Sequence, residues 1–177
     1  PPLPVSKHQI YGDPIMLKIP PRTGPKPVTT PCAPHTQISQ NPDSLSYQAF
    51  KERAFDFPFV TRQPSRISVP GAEALCLEHG QGCGCREAFM IGNEFAHVHP
   101  PEDGSLHMML PEDAVPQIVD LGWAEPHPMA TAGMIPLTAV MVYAPRDNAE
   151  IGTVLDLLRM SYDFACGRLG RVDNIAL

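Results

Sequence analysis

The chain has 177 residues, a formal charge of −6, 43% apolar residues and 18% charged residues. That length suits one domain able to bury most of its apolar surface, and the acidic balance argues against nonspecific affinity for nucleic acid or anionic membrane. No apolar run approaches the roughly 20 residues needed to span a bilayer, and no basic-then-apolar start resembles a signal peptide.

Twenty-two prolines are more than twice the usual share of about 5%, and they are densest before residue 45. Proline fixes φ, removes a backbone donor and pushes the preceding residue into extended conformations. Residues 1–42 therefore predict an extended arm wrapping a single domain of residues 43–177. The apolar residues Ile15, Leu17, Ile19, Val28 and Ile38 would dock the arm, with a free tail over the first ten residues as the alternative. Five cysteines, an odd number, cannot form a complete disulfide framework within one chain, so the expected compartment is reducing, cytoplasmic or intracellular. The chain starts at Pro1 rather than Met, which fits a truncated or processed form and leaves a missing N-terminal membrane anchor open.

Asn41-Pro42-Asp43-Ser44 signals a helix start, and Leu45, Ala49, Phe50 and Ala54 then follow at helical spacing, predicting a helix over 44–56. Ile67, Val69, Ala72 and the run 74–77 predict a first strand, interrupted at Pro70-Gly71. Glycines 80, 82 and 84 make a loop. Residues 87–91 and 95–99 read as strands around the turn pair Gly92-Asn93. Residues 100–104 turn, and 105–110 return as a strand. Pro111-Glu112-Asp113 opens a helix running to Gly122. The apolar run 137–143 predicts an interior strand. Asp147 caps a helix with Ile151, Val154, Leu155, Leu158 and Tyr162 on one face. The fold class expected is α+β, a mostly antiparallel sheet of four to five strands with two to three helices packed on it.

Chemistry concentrates in residues 94–107, which hold His97, His99, His107, Glu94, Glu102 and Asp103. Alternate residues of a strand share a face, so His97 and His99 point together, and a hairpin closed by 100–104 returns His107 beside them. Three clustered imidazoles suit either a divalent metal, with Glu102 as a fourth ligand, or a group tuned for proton transfer. Crowded imidazoles should titrate below about 6.5 unless Glu102 or Asp103 compensates. Glu94 has the opposite parity to His97 and joins the site only if a bulge intervenes. A merely solvated His-rich hairpin is the bland alternative.

His127 sits in a proline-bounded loop and reads either as a loop residue or as a further member of the site. Trp123, the only tryptophan, reads as packing at a helix end or as the wall of an aromatic pocket. Arg146 reads either as a clamp for a substrate carboxylate or enolate, or as an ion pair with Asp147 or Glu150. Cys76, His79, Cys83 and Cys85 have residue types that suit zinc but match no standard spacing, so reduced loop thiols are the expectation. No nucleophile elbow, P-loop or dinucleotide fingerprint is present, so no motif calls for a nucleotide, NAD or FAD.

Several strings, taken together, resemble the luciferase domain of bioluminescent fungi, shared with "luciferase family" proteins of fungi and bacteria. They are Glu94-x-Ala96-His97-x-His99-x3-Asp103-x2-Leu106-His107, Gly122-Trp123-x3-His127-Pro128-x-Ala130 and Tyr143-Ala144-Pro145-Arg146-x3-Glu150. Upstream, Ile19-Pro20-x-Arg22-x-Gly24-x-Lys26-Pro27 and Pro34-His35-x-Gln37 extend the likeness, which runs from about residue 17 to 165. The resemblance implies a pocket formed by His97, His99, His107, His127, Tyr143 and Arg146; Trp123, Glu94 and Asp103 are further candidates for substrate contact. It also implies that the Pro-rich arm is part of the domain. Luminous members oxidise 3-hydroxyhispidin, a styryl-pyrone, with O2 and loss of CO2, without flavin or nucleotide. The chain departs from them in the Cys76–Cys85 loop and in having no membrane helix of its own.

The expectation is a nonluminous member of that family, an oxidoreductase or lyase of secondary metabolism. It would abstract a proton from an enolisable pyrone or polyketide and proceed by oxygenation, decarboxylation or rearrangement. Metal-dependent oxygenase, decarboxylase or lyase chemistry on a cupin-like ligand set is the first alternative. A nonenzymatic metal- or ligand-binding protein is the second. No cofactor is required by motif, a divalent metal stays open, and O2 is a candidate co-substrate. Expected partners are a small-molecule substrate, no nucleic acid and no membrane for this chain, with a homo-oligomer left open.

Overall fold

The structure, a computed structural model, describes residues 17–82 and 84–169. The proposed tail, Ile15 and Cys83 lie outside the described residues. The order of elements is α1 (Ser44–Ala54), β1 (Val60–Pro64), β2 (Glu73–Leu77), β3 (Glu94–Val98), β4 (Leu106–Met109), α2 (Val115–Asp120), β5 (Ala124–Pro126), α3 (Pro128–Thr131), β6 (Ala139–Val142) and α4 (Asn148–Ala165). Six strands form one antiparallel sheet in the order β1-β2-β3-β4-β6-β5.

The α+β class and the antiparallel sheet agree with the sequence reading; the strand and helix counts do not. Both strands that the pattern missed, β1 and β5, are the sheet edges. An edge strand has one unpaired side and need not be apolar, so Val-Thr-Arg-Gln-Pro and Ala-Glu-Pro carry no period-2 signal. Residues 67–72 join no strand, and β2 begins at Glu73. The strand expected over 87–91 is replaced by a 3-10 turn at Arg86–Ala88 and a lone bridge between Ile91 and Glu94. The flank of β3 that it would have occupied belongs to β2. The helix expected from Pro111 begins at Val115, and the four-residue α3 after His127 is additional.

Helices α1 and α4 pack on each other, and α4 lies across β3 and β4. Phe50, Ala54, Ile151, Val154, Leu158 and Tyr162 bury against Ala96, Val98, Leu106, Met108, Val140 and Val142, the residues facing one side of the sheet. Asp147 accepts hydrogen bonds from the backbone N–H of Ala149 and Glu150 at 2.9 and 3.1 Å. This satisfies two of the orphan donors of α4. Replacing Asp147 with Ala is expected to cost about 1 kcal/mol, read as a Tm lowered by roughly 2–4 °C. An unchanged Tm would show that solvent caps the helix equally well.

The arm, residues 17–42, is bound along the domain. Leu17 and Ile19 join the main core, whereas Val28 and Ile38 are exposed and do not dock. The Trp123 indole donates to Pro20 O at 2.7 Å, Arg22 N–H to Leu121 O at 2.8 Å, and Ala144 N–H to the Gln37 side chain at 3.0 Å. These bonds direct the arm across the sheet face opposite α4.

Candidate functional site

That opposite face is organised by register. Ala74, His97, His107, Met141 and Glu125 stand opposite one another on β2, β3, β4, β6 and β5. Cross-strand partners share a face, so His97 and His107 lie side by side, with Glu125 two strands beyond, across β6. The hairpin closes at 100–104 as the turn residues imply, and His99 N–H bonds Ser105 O at 2.9 Å.

A continuous row of close polar contacts follows. Glu94 Oε1 is 2.7 Å from His97 Nδ1, and His97 Nε2 is 3.0 Å from His107 Nδ1. His107 Nε2 is 3.1 Å from His35 Nδ1, and His35 Nε2 is 2.6 Å from Glu125 Oε1. His35 comes from the arm and spans the gap above β6 between His107 and Glu125. Glu94 reaches the row because the register shifts between Leu75 and Cys76, a bulge that puts its carboxylate on the His97 side. The condition that parity set for Glu94 is therefore met.

His99 is held from behind. Its Nδ1 is 2.6 Å from Asp103 Oδ2, and the Ser105 hydroxyl donates to Asp103 Oδ1 at 2.5 Å. Its Nε2 is buried and has no hydrogen-bond partner among the described residues. His127 caps α3, its Nδ1 accepting from Met129 N–H at 3.1 Å. The His127 ring lies 4.8 Å from that of His107 and 5.2 Å from that of His35.

Burial, offset in part by Glu94, keeps the His97 imidazole below its ordinary range. Burial and the surrounding imidazoles push His107 well below. Burial and the same neighbours lower His127 to about 4. For Asp103, burial would raise the pKa, but the bonds from His99 and Ser105 outweigh it and the group stays lowered. Glu125 behaves alike: burial opposes, yet bonds from His35, Lys26 and Thr29 hold it down to about 2. His97, His107 and His127 are thus held neutral, and the carboxylates of Asp103 and Glu125 ionised.

The imidazoles of His35, His97, His99, His107 and His127 line a cavity of about 910 Å³. The rest of its wall is mostly apolar and rich in methionine, including Ile67, Val69, Phe89, Met90, Met109, Met129, Met134 and Ile135. An apolar body with a polar, oxygen-bearing head fits that division.

Several expected site residues stand elsewhere. Glu102 is exposed and outside the imidazole group, so it does not complete a ligand set with His97, His99 and His107. Its neighbour Asp103 faces inward because the Ser105 N–H and hydroxyl both bind it. Arg146 lies off the cavity, ion-paired with Glu150 and donating to Thr23 O at 2.9 Å, so it holds the arm rather than a substrate. Trp123 is buried against Pro20, and Tyr143 donates to Glu125 Oε2 at 3.0 Å; neither lines the cavity. Glu94 and Asp103 stand behind imidazoles rather than against the cavity. Cys76 is buried in β2, while His79 and Cys85 are exposed. His35 and Glu125 were missed as site residues, and the only signal was His35 within the Pro34-His35-x-Gln37 string.

Residues 92–161 match the family model of the luciferase domain. Over 162 aligned residues the chain is 26% identical to the luciferases of Armillaria mellea, Armillaria ostoyae and Armillaria gallica, covering 82% of this chain. The chain spans about 60% of the length of these curated relatives. No solved structure matches it. No helix among the described residues is long and apolar enough to cross a membrane.

Proposed function

With the kinship of residues 92–161 to the fungal luciferases as premise, we propose that this chain is a luciferase-like enzyme. Its substrate is an enolisable, oxygen-rich small molecule such as a hydroxylated pyrone or polyketide. The observation that carries the proposal is the group of imidazoles in the wall of a largely apolar cavity, with His97, His107 and His127 held neutral. Neutral imidazole accepts a proton at physiological pH, and removal of water from such a wall strengthens its polar contacts.

The apolar part of the substrate lies among the methionines, and its oxygenated head meets the imidazoles. In the metal-free protein the group formed by His97, His99 and His107 takes the acidic proton, giving an enolate; with a cation on those nitrogens the proton would leave to solvent instead. His127 accepts at Nδ1 from the backbone of α3, so its neutral ring carries hydrogen on Nε2 and donates to the developing oxyanion. Glu94 and Asp103 fix the tautomers of His97 and His99. The enolate then reacts with O2, loses CO2 or rearranges.

The first probe is 3-hydroxyhispidin, the substrate of the family's luminous members, followed by simpler hydroxypyrones. O2 uptake, CO2 release and product mass are recorded. His97→Ala and His107→Ala are each expected to lower turnover by at least about 100-fold, the usual range for a lost acid–base group, with circular dichroism unchanged. Wild-type-like turnover in both variants would sink the proposal.

A further inference from the structure

The row from Glu94 to Glu125 does not balance in protons. It contains four contacts of 2.7, 3.0, 3.1 and 2.6 Å, each short enough to need a hydrogen between its heavy atoms. Both ends are carboxylates, which accept only when ionised. Three rings with one proton each supply three hydrogens for four contacts. One contact must therefore hold two facing lone pairs, unless the row takes up a fourth proton.

The carboxylates fix the outer rings: His97 carries hydrogen on Nδ1 and His35 on Nε2. Two contacts remain for the facing lone pairs, His97 Nε2 with His107 Nδ1, or His107 Nε2 with His35 Nδ1. The third ring at each place decides between them. Beside the second contact stands His127, whose Nδ1 already accepts from Met129 N–H, so its Nε2 presents a hydrogen and not a lone pair. Beside the first stands His99. Asp103 takes the hydrogen on its Nδ1, and its Nε2 lone pair is buried, unpartnered and part of the same group. The ligand atoms of His97, His99 and His107 all lie within 4.8 Å of one another.

Three converging buried lone pairs with no hydrogen among them form a site for a cation, and a cation there removes the need for a fourth proton. We propose that His97 Nε2, His99 Nε2 and His107 Nδ1 bind one divalent transition metal, with Glu94 and Asp103 as the carboxylates behind the first two ligands. Imidazole ligands suit zinc, iron, nickel or copper, and a carboxylate on the distal ring nitrogen is the usual support for such a ligand. Once the cation fills the first contact, His107 Nε2–H donates to His35 and His35 Nε2–H to Glu125, so every remaining contact has its hydrogen. Three protein ligands leave positions open toward the cavity, the arrangement of a catalytic rather than a structural site. Metal binding stands apart from the proposed reaction. Only its role, a Lewis acid holding the enolate oxygen of the substrate head, rests on that reading.

The test uses the full chain, stripped with chelator, dialysed, and titrated with Zn2+ by calorimetry and with Co2+ by visible spectroscopy. One equivalent per chain is expected for both ions, with cobalt bands of imidazole coordination. His99→Ala should abolish the stoichiometric site. Asp103→Asn, which keeps the ligand and removes only its support, should weaken binding by roughly 10- to 100-fold. His127→Ala should bind as wild type does. If His99→Ala fails to fold by circular dichroism, Asp103→Asn carries the comparison. No stoichiometric uptake of either ion by folded protein overturns the proposal, as does a His127→Ala defect equal to that of the ligand variants. Because no substrate is present, a metal-binding but inactive protein supports this site and counts against the enzyme reading, and an active protein that binds no metal does the reverse.

Discussion

Replacing Glu125 with Ala is expected to destabilise the protein by about 3–4 kcal/mol, the range for removing one partner of a buried charged network. Glu125 is 7% exposed and gathers four donors: Lys26, Thr29 at 2.7 Å, His35 at 2.6 Å and the Tyr143 hydroxyl at 3.0 Å. Three of these belong to the arm and one to the chain just after β6. Without the carboxylate, His35 and Tyr143 keep buried hydrogens with no acceptor. The arm also loses the anchor that holds an imidazole over the sheet. A domain of this size should show a Tm lowered by roughly 10 °C and new protease cleavage between residues 22 and 40. Glu125→Gln should fall between, since one amide oxygen still accepts while its NH2 group faces donors. A Tm within 2 °C of wild type for Glu125→Ala would show that the network is solvated and that the arm is held by its backbone bonds alone.

Acidification should unfold the protein from about pH 6.5 downward, well before its carboxylates titrate. His97, His107 and His127 all have folded-state pKa values below the ordinary 6.5, because burial and neighbouring imidazoles disfavour their cations. The unfolded chain therefore binds protons first, and stability rises with pH through this range. The contribution is complete above about pH 6.5 and is lost as pH falls toward 4, the value to which His127 is lowered. His127 by itself accounts for at most on the order of 3 kcal/mol over that interval. Below it a second loss begins, as Asp103 and Glu125, whose pKa values are depressed, take up protons and release their partners. Urea midpoints measured from pH 8 to 4 should be flat above 7 and then fall. Replacing His127 with Gln should shallow the slope. Equal midpoints at pH 7 and pH 5 would contradict the burial of neutral imidazoles.

Which parts of this protein were legible beforehand follows from the range of the interactions that make them. The first helix, the 97–107 hairpin and the last helix are specified by residues within a few positions of one another. Asp43 and Asp147 cap, and apolar residues recur at helical spacing. Two turn segments, 92–93 and 100–104, bracket the histidine strand. The share of a face between His97 and His99, and the return of His107, follow from period 2 and a short turn alone. Local pattern also set the test for Glu94, whose parity demanded a bulge. The edge strands escaped because β1 is half exposed and β5 is three residues long. Pairing, not composition, makes them strands.

The site beyond the hairpin was decided by tertiary structure. His35 is 62 positions from His97, and nothing local in a Pro-rich arm marks one imidazole as buried. Glu125 faces the row only because β5 pairs with β6 in a register where a one-residue slip would turn it to the helix side. Arg146 shows the converse: its motif points to the pocket, but Glu150 one helical turn later and Thr23 of the arm hold it elsewhere. By itself the sequence determined an antiparallel α+β domain, a histidine hairpin and a likeness to fungal luciferases. Only the folded chain decided that three imidazoles and two carboxylates form one row and that five imidazoles line one cavity. Those contacts join the arm to three strands, β3, β4 and β5, and their cost in chain entropy is met only when the whole sheet is assembled.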